Sequence, residues 1–207
     1  MTQQQFDQKL QILEASSKLY MKHGIRSVSM DDLARHLGIS KKTIYQYFEN
    51  KDALVTAMIM SHVEQEREEV NKILSSSENA IEQMQQIARM ALRTLAEVSS
   101  GTMFDLQKYY RKQWITITDL HKKLIHSVIK QNIERGIEEG IYRPEIEAEI
   151  IARLYGEMAF SIVNADVFSM NKFSMQEVYK QAFHYHINGI LSVKGDKIFQ
   201  QLNSTAE

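Results

Sequence analysis

Turn punctuation is nearly absent from this chain. Its 207 residues contain a single proline, Pro144, and eight glycines. A sandwich or barrel of this length needs a turn every ~8–12 residues, and such turns draw heavily on glycine and proline. The chain is therefore expected to be all-α, with helices joined by short connections. Apolar residues make up 43% and charged residues 25%, which suits a globular chain with a core rather than a disordered one. Its length fits one large domain or two small ones.

Several chemistries are excluded by composition. With no cysteine there is no disulfide framework, no thiolate zinc site and no cysteine nucleophile. No apolar run approaches the ~18 residues of a membrane span, and the start, MTQQQFDQKLQ, has no apolar signal core. A cytoplasmic protein with no membrane partner is expected. Net charge is −1, unevenly divided. Residues 1–52 hold eight Lys/Arg and six Asp/Glu, and the remainder seventeen and twenty. The N-terminal part is thus mildly basic, which is compatible with a nucleic-acid partner.

Nothing in the sequence suggests an enzyme. P-loop, GxGxxG, GxSxG and HExxH motifs are missing, so neither cofactor nor catalytic residue is assigned. Of the seven histidines, only His62 shares a helix face with an acid at the i, i+4 spacing of a metal pair, Glu66. No third ligand accompanies them, so no metal is expected.

Apolar spacing of three and four residues predicts a first helix over Phe6–His23, closed by Gly24. Ser29 caps a short helix, Met30–Leu37, with Asp31 and Asp32 in its first turn, and Gly38 stops it. Ser40 caps the next, which runs to about Phe48. Longer helices are expected over about 52–74, 78–98, 118–138, 145–168 and 174–191, with a short one at 104–110. Pro144 is expected in the first turn of the helix from Glu145. That makes about nine helices.

The stretch MDDLARHLGISKKTIYQYF, Met30 to Phe48, has the spacing of a helix-turn-helix. Ala34 is small where two helices approach, and Gly38 follows at the turn position that favours positive φ. Leu33, Leu37, Ile39, Ile44 and Phe48 provide the locking contacts. The second helix keeps Lys41, Lys42, Thr43, Gln46 and Tyr47 at outward or end positions, and Tyr45 projects as well. These are donors and aromatic faces suited to phosphates and base edges. Two tyrosines two residues apart on a helix cannot both face one core. The N-terminus capped by Ser40 adds free N–H groups for a phosphate.

The run GIRSVSMDDLARHLGISKKTIYQYFENKDAL, Gly24 to Leu54, resembles the tetracycline-repressor (TetR/AcrR) family of bacterial transcription regulators. Ala34, Gly38, Thr43, Tyr45, Tyr47, Phe48 and Lys51 fall at the family's expected places. The sequence departs from the pattern at Lys42, where many members carry glycine, alanine or proline. The resemblance implies a homodimer with a three-helix DNA-binding domain over residues 1–52 and an effector-binding, dimerising helical bundle over 53–207. It implies that Ser29 bonds a phosphate and that Thr43, Tyr47 and Lys51 clamp the backbone. Lys41, Lys42, Tyr45 and Gln46 are the corresponding candidates for base edges.

The helices expected at about 145–168 and 174–191 carry apolar stripes too wide for one core, and the subunits are expected to pair through them. Met90, Phe104, Trp114, Tyr155 and Met158 are candidates to line an effector cavity, and ordinary core packing is the competing reading of all five. Such a lining suits an apolar or aromatic small molecule. The expected function is a dimeric regulator, a repressor, released from a palindromic double-stranded operator by that effector. The alternative is an effector-binding helical protein whose DNA contacts are vestigial.

Overall fold

A computed structural model describes residues 3–163, 167–168 and 172–204. Among these the chain forms ten helices: α1 Gln3–His23, α2 Met30–Leu37, α3 Lys41–Tyr47, α4 Lys51–Ser76, α5 Ala80–Glu97, α6 Ser100–Lys108, α7 Arg111–Glu138, α8 Ala148–Ile162, α9 Met175–Ile190 and α10 Val193–Ser204. The all-α architecture expected from sparse turn punctuation is what forms. Among the described residues the one strand-like feature is an isolated bridge between Tyr142 and Leu191.

Several helix starts differ from expectation, and α6 begins at Ser100 rather than near Phe104 because Ser99 caps it, accepting the Thr102 amide at 3.2 Å. α7 begins at Arg111 rather than near Thr118, because the Trp114 amide already bonds the Tyr110 carbonyl at 2.8 Å and starts the helical ladder there. α8 begins at Ala148, and Pro144 lies in the preceding turn rather than in the helix's first turn. The Tyr142–Leu191 bridge keeps this connection extended, with the Arg143 amide on the Ile190 carbonyl at 2.9 Å. The expected continuation of α8 over 164–166 lies outside the described residues. The tenth helix, α10, was not expected from the sequence. Its Gly195 serves close approach, since a Cβ there would overlap the Ile141 carbonyl.

The chain divides into two compact units, Met1–Glu66 with Glu97–Leu120, and Arg67–Ala96 with His121–Glu207. In the first, Ile12, Tyr20, Ile25, Leu33, Ile44, Phe48, Leu54 and Leu106 share one buried cluster. Each fully buried aliphatic side chain here contributes about 1.5–3 kcal/mol relative to exposure. α6 is tied to the end of α1 by polar groups: Ser99 N–H donates to Met21 O at 2.9 Å, and Thr102 Oγ1 donates to Tyr20 O at 2.5 Å. Asp105 accepts the Arg26 amide at 2.7 Å.

In the second unit α5, α7, α8, α9 and α10 enclose Ile81, Met84, Ile129, Ile133, Ile187 and Phe199. A satisfied polar network sits within it. Asn132, fully buried, donates to Ala80 O and Gln83 Oε1 at 2.8 and 2.7 Å, and accepts from Tyr142 Oη at 3.0 Å. The Tyr142 ring lies against Gly136, where a Cβ would overlap it. Glycine is therefore required in the last turn of α7 despite its low helix propensity.

Candidate nucleic-acid interface

The local sequence builds α2 and α3 as a rigid pair. Ser29 Oγ accepts the Asp32 amide at 3.1 Å, and the Asp32 carboxylate accepts the Ser29 amide at 3.0 Å, a complete capping box. These bonds hold the Asp32 carboxyl below its ordinary pKa. Gly38 ends α2 in the left-handed region at φ +65°, where a side chain would be strained. Ser40 then caps α3, accepting the Thr43 amide at 3.0 Å. Leu33, Ala34 and Ile44 are buried, with Leu37 and Ile39 packed against them. The turn geometry expected from the Ala34–Gly38 spacing forms, with the Ile39 amide on Ala34 O at 3.1 Å.

Burial of Ile44 and Phe48 fixes which face of α3 remains open. Ser40, Lys41, Lys42, Tyr45 and Gln46 are exposed, Tyr45 by 43%. Thr43, Tyr47 and Lys51 are half-buried. No acidic residue lies in α3. Lys41 is paired with Asp31 at 2.7 Å, which raises the lysine's pKa. Lys42 has no ion-pair partner among the described residues.

All four residues expected at the DNA backbone are engaged by the protein itself, Thr43 through its hydroxyl, which is 2.8 Å from Ser40 Oγ. Ser29 belongs to the capping box. Tyr47 Oη donates to Gln8 Oε1 on α1 at 2.8 Å. Lys51 Nζ donates to Ile25 O and Val28 O, both at 2.6 Å, and stands 5.4 Å from the centre of the Tyr20 ring. Burial lowers its pKa. Two of the ammonium's three donors are thus used on the loop between α1 and α2, which leaves one for a phosphate. Beside that loop an open cavity of about 560 Å³ is lined by His23, Ser27, Asp32, Arg35 and His36 among others.

The five effector candidates are not gathered into one place. Phe104, 53% exposed, and Trp114, packed against the first unit's core, belong to that unit. Met90 is buried with Val70, Ile73, Ile87 and Val128. Tyr155 and Met158 share a cluster in the second unit. Tyr155 Oη is 3.3 Å from Tyr179 Oη, and its ring meets that of His186 at 4.4 Å between centroids. Tyr179 and His186 were not singled out in the sequence, although their seven-residue separation puts both on one face of α9. Among the described residues no three His, Asp or Glu side chains form a metal-binding group, and no helix is long and apolar enough to cross a membrane.

Residues 12–58 match the family described as bacterial regulatory proteins, tetR family. The uncharacterized HTH-type transcriptional regulator YhgD of Bacillus subtilis is 25% identical over 160 residues, covering 74% of this chain and 83% of that one. The HTH-type transcriptional repressor KstR2 of Mycobacterium tuberculosis is 20% identical over 161 residues, covering 69% and 73%. Among solved structures, a putative transcriptional regulator from Saccharomonospora viridis in complex with choline superposes with a TM-score of 0.72 at 17% identity, covering 90% of this chain and 98% of that one.

Proposed function

This chain belongs to the tetR family of bacterial regulatory proteins, and from that premise we propose that it is a homodimeric repressor acting in the cytoplasm. It binds a pseudo-palindromic double-stranded operator and leaves it when a small molecule binds. The observation that carries this reading is the open face of α3. It is free of acidic residues and presents Ser40, Lys41, Lys42, Tyr45 and Gln46 from a helix locked by Ile44 and Phe48. In this reading Lys41, Lys42, Tyr45 and Gln46 reach base edges, and Ser29, Ser40, Thr43 and Tyr47 hold phosphates. Lys51 holds the loop between α1 and α2 with two donors and offers the third to the backbone.

Residues 1–52 supply the DNA-binding part, and residues 53–207 the effector site and the dimer contact. Subunits pair through α8 and α9. Ile150 and Leu154, one turn apart on α8, are 56% and 61% exposed, and Tyr185 on α9 is 80% exposed. Apolar side chains left uncovered at helical spacing suit burial against a second copy. Two recognition helices then enter successive major grooves about 34–36 Å apart.

The effector is a largely apolar molecule held in the second unit near Tyr155 and Met158. The related Saccharomonospora viridis protein holds choline, which supports a small-molecule role for this fold. The function is binding, with no reaction catalysed. Footprinting of the DNA upstream of its own gene tests the arrangement. Two protected half-sites one helical turn apart are expected, and a single or unbroken smear of protection contradicts the paired reading.

A further inference from the structure

We infer that His186, Tyr179 and Tyr155 form the polar anchor of the effector site, and that the effector is an uncharged, mainly apolar molecule with one hydroxyl or carbonyl at its buried end. The inference rests on the effector-release reading above and adds to it the residues and the chemical class.

The starting point is an unmet hydrogen-bonding need inside the second unit. His186 is 7% exposed, and its Nε2 has no hydrogen-bond partner among the described residues. A buried polar atom left unpaired costs free energy that a packed core does not return, so it calls for a ligand or a water. The histidine is not isolated. Its ring packs against Tyr155, whose hydroxyl is 3.3 Å from that of Tyr179, and both tyrosines are also buried. The two hydroxyls share one long bond, and a normal O–H···O contact is about 2.7–2.8 Å. One O–H therefore has no acceptor. The cluster holds a spare hydroxyl donor beside a spare imidazole nitrogen, a pair matched to the lone pairs and proton of an alcohol, or to a carbonyl oxygen.

The surroundings select against charge. Around Tyr179 lie Ala88, Ile162, Met175 and Phe183, and beside Tyr155 lie Ala152 and Met158. Among the described residues no carboxylate, lysine or arginine bonds to any of the three polar side chains. Burial alone lowers the His186 pKa, to about 4, so the imidazole is neutral at physiological pH. A carboxylate or ammonium head placed here would lack a counter-charge, and burying it unpaired is strongly unfavourable. The α8 backbone next to Tyr155 is not crowded by side chains. Gly156 follows Tyr155 in α8 and is buried, yet a Cβ on it would meet nothing within 4 Å.

A matched ten-carbon series tests the class and the residues together: 1-decanol, 2-decanone, decanoate and decylammonium, titrated into the full-length protein with its histidines labelled with nitrogen-15. The alcohol or the ketone is expected to raise Tm and shift the His186 Nε2 resonance, whereas the acid and the amine do neither. His186→Phe keeps the ring's shape and removes the nitrogen. It is expected to lower affinity for the neutral probe at least about tenfold while the ligand-free protein stays as stable as wild type, or gains stability, as loss of an unpaired polar group allows. Tyr179→Phe should weaken the same probe. Equal responses to all four head groups, no response to any, an unmoved His186 signal or a less stable ligand-free His186→Phe protein would each overturn the proposal. Operator binding by the ligand-free wild type is measured alongside. Its failure counts against the regulator reading, and its success leaves the anchor to stand or fall on the probes.

Discussion

The ammonium of Lys51 and the carbonyl oxygen of Val28 are 2.6 Å apart, and a second bond of equal length joins the same ammonium to Ile25. The lysine at the foot of the recognition helix thereby fixes the loop that leads into α2. Removing it leaves two carbonyls short of a donor. Lys51→Met is expected to lower stability by about 1–3 kcal/mol in urea unfolding. A variant as stable as wild type, with only its operator affinity reduced, would return Lys51 to a purely phosphate-facing role.

The Lys41–Asp31 pair makes the two adjacent lysines unequal. Lys42 is free to neutralise a phosphate or read a guanine, while Lys41 shares its charge with Asp31. Lys42→Ala is expected to lower the slope of log K against log salt by about one. Asp31→Asn is expected to strengthen binding to every duplex by releasing Lys41. Titrations at several salt concentrations check both, and weaker binding by Asp31→Asn would show that the carboxylate positions Lys41 rather than masking it.

On α8 the exposed pair Ile150 and Leu154 carries the dimer proposal. Leu154→Glu places a charge in the expected interface, where burial without a partner costs several kcal/mol. Sedimentation should show two-chain particles for wild type and single chains for the variant at micromolar concentration. An unchanged mass for Leu154→Glu would move the interface elsewhere.

The recognition helix was legible because its signals are local. Ser29, Gly38 and Ser40 are caps, whose chemistry lies within four residues of the backbone they serve. The inward turn of Lys51 was not legible, since its acceptors, Ile25 and Val28, are more than twenty residues away. The scattered effector candidates failed to gather for a related reason. Aromatic and methionine residues mark apolar surroundings in general, and Phe104, Met90 and Tyr155 satisfy that in three different settings.

Burial of His186 has a pH signature. Its folded pKa, about 4, lies below the ordinary 6.5, so the unfolded chain binds the proton more tightly. Stability from this group is therefore full well above pH 6.5 and declines as pH falls through 6.5 toward 4, with a loss of about 2 kcal/mol by about pH 5. In His186→Phe that component should vanish from the pH dependence of urea unfolding. Parallel curves for the two proteins would mean the imidazole is not held neutral by the fold.

The central claim is that α3 reads sequence. The most direct measurement is the ratio of dissociation constants for the duplex upstream of the protein's own gene and a scrambled duplex of the same composition. Both are measured by fluorescence anisotropy at one physiological salt concentration. A specific regulator should prefer the upstream duplex by a factor of about 10³ or more, and Gln46→Ala should reduce that ratio without abolishing binding to either. Equal affinity for the two duplexes, or no binding to any DNA, would contradict the account.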